Sequence, residues 1–171
     1  MKTCNFKSSK RLGERKEDDF RRLCEAHGVS CVKNTEESKL SLYDFDCKMD
    51  DEAFTVEVKY DALAKKYGNI ALEYFNTRLG RPSGIAVTTS DLWVHFDKED
   101  SFLLFNTEKL KQMQLSQAPE PWFHEVHGGD NNSLMDLYRV EEMEKLDFCS
   151  RVNLDLDSKN FKKTVNNIRT R

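Results

Sequence analysis

Two short runs of β-forming residues, LSLYDFDC at 40–47 and AFTVEVK at 53–59, are separated only by the polar segment Lys48-Met49-Asp50-Asp51-Glu52. That spacing predicts a hairpin, with strands at 40–47 and 53–59 folded back on each other. Side chains alternate between the faces of a strand. Asp44 and Asp46 therefore share one face of the first strand, with Tyr43, Phe45 and Cys47 opposite. Glu57 and Lys59 share a face of the second, with Val56 and Val58 opposite. Pairing the strands lets an aspartate meet the Glu-Lys couple on one surface. Both runs are otherwise apolar, and carboxylates in such surroundings cost several kcal/mol unless a cation compensates them. Two carboxylates with an open position suit a hard, oxygen-preferring ion such as Mg2+. A lysine beside them can stabilise charge growing on a phosphate.

The rest of the chain supplies elements to pack against this hairpin. Residues 12–27 have the period of an amphipathic helix, with Leu12, Phe20, Leu23 and Cys24 on one side and Gly28 as a natural stop. Residues 70–75 (IALEYF) predict a third strand, 83–91 a helix or turn, and 92–96 (LWVHF) and 102–105 (FLLF) two more strands. Asn106-Thr107 caps a predicted helix, EKLKQMQL, which Pro119 and Pro121 close off. A strand is expected over 134–138 and a helix over 140–146. Residues 150–171 are polar and basic, and are expected to be a tail or a terminal helix. The order predicts an α/β fold with a mixed sheet flanked by helices.

The chain has 171 residues, enough for one domain with a real core. No run approaches a membrane span, and the first residues lack the apolar region of a signal peptide. Five cysteines at scattered positions, without a CxxC pair, predict reduced thiols in a cytoplasmic setting, with Cys24, Cys31 and Cys47 as packed thiols. Net charge is −3, unevenly spread: residues 1–16 carry +5 and residues 151–171 carry +4, leaving −12 for the body. Basic ends are compatible with nucleic-acid contact. An acidic body would repel a phosphate backbone unless some of its carboxylates bind cations. The pair His124 and His127 lacks further ligands at zinc spacing. Glycine-rich phosphate loops and a serine nucleophile elbow are absent.

In order, then, the chain presents Gly13-x-x-x-Glu17-x-x-Phe20 on a helix, Asp44 on a strand, and Glu57-Val58-Lys59 on the next strand. This set resembles the PD-(D/E)XK nuclease superfamily. Asn69 to Tyr74, Arg81-Pro82-Ser83-Gly84-Ile85 and Thr88 to Val94 look like its phage-type members, and Gly128-Gly129-Asp130-Asn131 does so more faintly. The literal Pro-Asp of the family is missing, since Asp44 follows Tyr43.

The resemblance implies a restriction-endonuclease-like α-β-β-β-α-β core within residues 1–149. It implies a divalent-metal-dependent endonuclease, with DNA favoured over RNA and branched or single-stranded DNA as candidate substrates. Asp44, Glu57 and the Val58 carbonyl would bind Mg2+ or Mn2+. Glu17 would assist them, and Lys59 would position or activate the attacking water. Asp46 and Glu73 are additional candidate acids. Arg78, Arg81, Lys65, Lys66 and Tyr60 are candidate contacts to the nucleic acid. A symmetric homodimer would suit a two-fold substrate. Two other readings of the same residues stand beside this one: a non-catalytic nucleic-acid-binding module of the same fold, and a virus-encoded protein-interaction domain.

Overall fold

A computed structural model describes residues 6–35, 42–128, 132–156 and 158–171. Leu40 and Ser41 of the first predicted strand, and Gly129 to Asn131 of the glycine turn, lie outside them.

Helix α1 spans Phe6–Ala26 and starts earlier than its periodicity suggested. It ends as expected at Gly28, whose φ of 69° is a conformation that costs glycine little. Strands β1 (Val29–Lys33), β2 (Phe45–Met49) and β3 (Glu52–Tyr60) form an antiparallel meander. The predicted hairpin is present, but β2 begins at Phe45 rather than Leu40, and β1 has no counterpart in the sequence reading. Five residues with an exposed Ser30 and Val32 give too short an alternation to stand out.

After β3 the chain leaves this sheet. A single turn, α2 (Ala64–Tyr67), leads to β4 (Asn69–Asn76), then β5 (Arg81–Pro82) and a 3-10 turn at Gly84–Ala86. Strand β6 (Leu92–Phe96) returns to lie parallel to β3, and β7 (Ser101–Asn106) pairs antiparallel with β6. The crossover of some thirty residues is what a parallel pair requires. Helix α3 (Thr107–Ser116) opens with the Asn106 side chain accepting the Lys109 N–H at 3.1 Å, as the cap predicted. Strands β8 (Phe123–His127) and β9 (Ser133–Arg139) follow, then a short α4 (Val140–Met143), β10 (Cys149–Asn153) and α5 (Ser158–Arg169).

Two sheets result. The larger is mixed, six-stranded and ordered β1-β2-β3-β6-β7-β10; the smaller is antiparallel and ordered β5-β4-β9-β8. Residues 70–75, expected as a third strand of one sheet, belong to the second. One face of the large sheet packs on α1 and α5 through Phe20, Phe45, Val56, Val58, Phe161 and Ile168. The other packs on α3 and the small sheet through Ile70, Leu72, Ile85, Trp93, Phe105 and Leu110. Strand β6 is therefore buried on both faces, which explains its unbroken apolar run.

Residues 150–171 are integral to this packing. The terminal helix is present, and β10, which the sequence reading missed, adds an edge strand beside β7. Arg151 makes a two-pronged pair with the buried Asp97 and a 2.7 Å contact with Glu144. Cysteine usage also differs from expectation. Cys31 and Cys47 face each other in register across β1 and β2 and form a disulfide with a Cα–Cα distance of 4.2 Å. Without β1 in view, Cys47 had no visible partner. Cys24 and Cys149 are buried free thiols, and burial pushes Cys149 up to about 12.

Phe161, Val165 and Ile168 of α5 are all at or below 3 % exposed. Each such burial contributes about 1.5–3 kcal/mol, against a typical total stability of roughly 5–15 kcal/mol. A chain ending at Leu156 should therefore lose cooperative thermal unfolding in calorimetry. A sharp transition within a few degrees of the full chain would contradict the integral role of α5.

Candidate functional site

Strand β3 has two kinds of face. Phe54, Val56 and Val58 point into the α1/α5 core, while Glu57 and Lys59 point to the other side. Asp44 stands just before β2 and is pulled onto the same side. Its N–H donates to the Val56 carbonyl at 2.9 Å, and its carboxylate Oδ2 accepts the Val58 N–H at 2.8 Å. The backbone of the Glu-Val-Lys segment thus holds the aspartate that the sequence placed opposite it. The Lys59 ammonium touches the Glu57 carboxylate; Glu57 is 7 % exposed. Three of the four residues expected to form the site are together.

The neighbouring strand lays an aromatic floor. Glu57 is in register with Trp93, and Lys59 with His95. The Lys59 Nζ lies 5.8 Å from the Trp93 ring centre, and the Trp93 indole N–H donates to His95 Nδ1 at 3.3 Å. His95 is buried, which lowers its pKa to about 4 and keeps it neutral. Its Nε2 has no hydrogen-bond partner among the described residues. Sequence reading missed Trp93 and His95 because only the parallel β3–β6 pairing brings them here.

Charge is unbalanced at this site. Burial, then the nearby Glu57, raises the Asp44 pKa from an ordinary 3.8 to about 6, against the pull of Lys59 and the Val58 N–H. Burial opposes the charge on Lys59, yet Glu57, Asp44 and Glu73 outweigh it and hold its pKa above the usual value. Glu73, a candidate additional acid, is therefore within electrostatic reach. Its carboxylate accepts the Ser83 hydroxyl at 2.6 Å. The Arg81 to Ile85 segment makes that contact possible, because Gly84 sits against β4 with φ 52°. A Cβ there would lie 2.3 Å from the Glu73 carbonyl oxygen.

The Thr88 to Asp91 segment acts as a latch. Thr88 Oγ1 donates to the Leu42 carbonyl at 2.6 Å, just ahead of Asp44, and lies 3.0 Å from Ser90 Oγ. Asp91 Oδ2 accepts the Thr55 N–H at 2.7 Å and the Thr55 hydroxyl at 3.0 Å. Leu42 and Thr55 are thereby tied to the segment that leads into β6.

Other candidates lie further out. Glu17 is committed to Lys33 of β1 at 2.5 Å, and Lys33 in turn feels Asp44. Glu17 thus borders the site through a lysine that sequence reading did not single out. Asp46 is exposed on β2, beside Thr55. Tyr60 packs toward the α1 core and donates its hydroxyl to Glu99 at 3.0 Å, away from the Glu57/Lys59 side. Lys66 contacts the Tyr67 hydroxyl at 2.9 Å, and Lys65 lines a cleft of about 350 Å³ with Asp97 to Asp100. Arg78 is exposed between β4 and β5, and Arg81 is exposed on β5. Of the two histidines, His124 contacts the buried Asp136 at 2.5 Å.

No group of three His, Cys, Asp or Glu side chains converges as a metal-ligand set among the described residues. What the site offers a cation is oxygen donors on Asp44 and Glu57, and three acids acting on one ammonium. That donor chemistry fits a hard divalent ion, provided Lys59 yields its place on Glu57. Comparisons with family models, curated proteins and solved structures return no match.

Raising the Asp44 pKa means that the fold favours its protonated form. This stabilisation is complete below about pH 4 and is lost as pH rises through about 6. Asp44→Asn mimics the protonated carboxyl. It should raise stability at pH 8 by about 1–2 kcal/mol, discounted for partial exposure, and leave it unchanged at pH 4. Denaturant melts at the two pH values check this, and equal stability at pH 8 would refute it.

Proposed function

We propose that the protein is a divalent-metal-dependent nuclease of the PD-(D/E)XK type that hydrolyses phosphodiester bonds, with DNA as its substrate. The observation that carries this reading is the assembly of Asp44, Glu57 and Lys59 on one side of β3, where burial and mutual repulsion raise the Asp44 pKa. Further support comes from topology. In the order α1-β1-β2-β3, followed by β6 parallel to β3, the aspartate comes just before the second strand and Glu-Val-Lys is on the third.

Asp44 and Glu57 would hold Mg2+ or Mn2+, with Glu17 and Glu73 as flanking acids. The ion would supply Lewis-acid polarisation of the scissile phosphate. Lys59, kept cationic by its acidic neighbours, would put positive charge where the phosphate oxygens grow negative. Trp93 beneath it limits where the ammonium can go. Arg78, Arg81 and Lys65, which have no ion-pair partner among the described residues, would meet the phosphate backbone.

A second reading, the non-catalytic nucleic-acid-binding module, has one observation in its favour: Lys59 occupies the Glu57 carboxylate, where a metal would sit. One experiment separates the two. Plasmid, linear duplex, single strands, a four-way junction and RNA are incubated with Mg2+, Mn2+ or EDTA. Cleavage should require metal and fall by about 100-fold or more in Lys59→Ala and Asp44→Ala. Mn2+ should raise the melting temperature of the wild type and not of Asp44→Ala. Binding without cleavage in every metal would favour the module, and undiminished cleavage by Lys59→Ala would refute the assignment.

A further inference from the structure

The small sheet has one face in the core and one toward solvent, and the solvent face is unusual. Ala71 and Glu73 of β4 are in register with Leu137 and Met135 of β9, and Leu137 is in register with Phe123 of β8. Register partners share a face, so Phe123 stands on the same surface as Glu73. Leu72 and Asp136, one step along, point the other way and are fully buried. Phe123 is 50 % exposed and Trp122 is 42 % exposed, with ring centres 4.6 Å apart. Neither ring fills the core.

Arg139 sits on top of this pair. Its guanidinium lies 3.8 Å from the Trp122 ring centre and has no carboxylate partner among the described residues. A guanidinium stacked on an exposed indole is oriented by the ring, and its charge is left for an outside anion. At the opposite end of the same sheet stand Arg78 and Arg81, also exposed and without described ion pairs. Aromatic faces between unneutralised arginines match the alternation of bases and phosphates along an unpaired strand. A purely apolar protein partner would leave three arginine charges to be desolvated without compensation.

We infer that Trp122, Phe123 and Arg139 form a stacking platform for the unpaired bases of a nucleic-acid strand. The platform deepens the nuclease reading and rests on it for its substrate class. From Phe123 to Glu73 is two strands across and one residue pair along, roughly 12 Å from strand geometry. Glu73 acts on Lys59, so a strand stacked on the platform runs toward the proposed site. Duplex ends, junction arms and single strands offer such bases, whereas an intact duplex interior does not.

The test is binding of a labelled oligothymidylate strand and of a blunt duplex, measured by anisotropy in EDTA so that no cleavage contributes. Trp122→Ala and Phe123→Ala should each weaken single-strand binding by about 5- to 100-fold and duplex binding by less than about twofold. Trp122→Phe should restore most of the loss. Because Trp93 is buried, quenching of tryptophan emission by the strand should vanish in Trp122→Phe. Single-strand affinity that stays within twofold of wild type in Trp122→Ala would overturn the platform, as would equal losses on both probes or no binding at low salt. So would a Trp122-dependent dimer in sedimentation with unchanged strand affinity. Metal-dependent cleavage that survives those outcomes would leave the nuclease reading standing alone. Trp122-dependent strand binding without cleavage in any metal would keep the platform and remove the nuclease.

Discussion

The 2.8 Å bond from the Val58 N–H to the Asp44 carboxylate is the interaction on which the arrangement turns. An aspartate beside an apolar strand pair would ordinarily be turned out to water. Here one oxygen is bound to the strand that carries Glu57 and Lys59, so the carboxylate stays where burial and a second acid both raise its pKa. The same strand, on its other face, buries Phe54, Val56 and Val58 against α1 and α5. Moving the register of β2 against β3 by one residue would exchange those faces and expose the core. Core packing and site geometry are therefore specified by one register.

That coupling explains which parts of the molecule were legible in the sequence. Asp44, Glu57 and Lys59 could be placed together because strand alternation and a short hairpin are local. The cap of α3, the stop at Gly28 and the strand at LWVHF are local as well. Lys33, Trp93 and His95 escaped notice because their approach depends on β1 and on the parallel return of β6. The small sheet was missed for the same reason: IALEYF has the composition of a core strand, and nothing within it says which sheet it joins. Polar residues misled at the C-terminus, where Arg151 is held half-buried by its pairing with Asp97 and Glu144.

Elements that look like loops in sequence support the site from behind. Thr88 holds Leu42, two residues ahead of Asp44, and Asp91 holds Thr55, two residues ahead of Glu57. Gly84 lets the chain lie against β4 closely enough for Ser83 to reach Glu73. The Thr88 and Ser83 contacts are single hydrogen bonds and Asp91 accepts two from Thr55, each of modest net worth, about 1 kcal/mol. Together they fix the approach of three strands that would otherwise be set only by non-directional packing.

The charge pattern takes on a different meaning once the fold is in view. The basic ends seemed the natural place for a polyanion to bind, but much of their charge is neutralised within the molecule. Arg151 serves Asp97 and Glu144, Lys162 serves Asp50, and Arg169 serves Glu52. Lys10 on α1 faces Glu14, and Lys16 faces Asp19 and Glu99. Among the cations without a described ion pair, Arg78, Arg81 and Arg139 stand at the two ends of the small sheet, Lys65 is on α2, and Arg11, Arg22 and Lys163 are exposed on α1 and α5. On the proposed nuclease reading, the exposed aromatic residues and Glu73 of that sheet would meet the nucleic acid, and a divalent cation would admit its phosphate to the acidic cluster at Asp44 and Glu57.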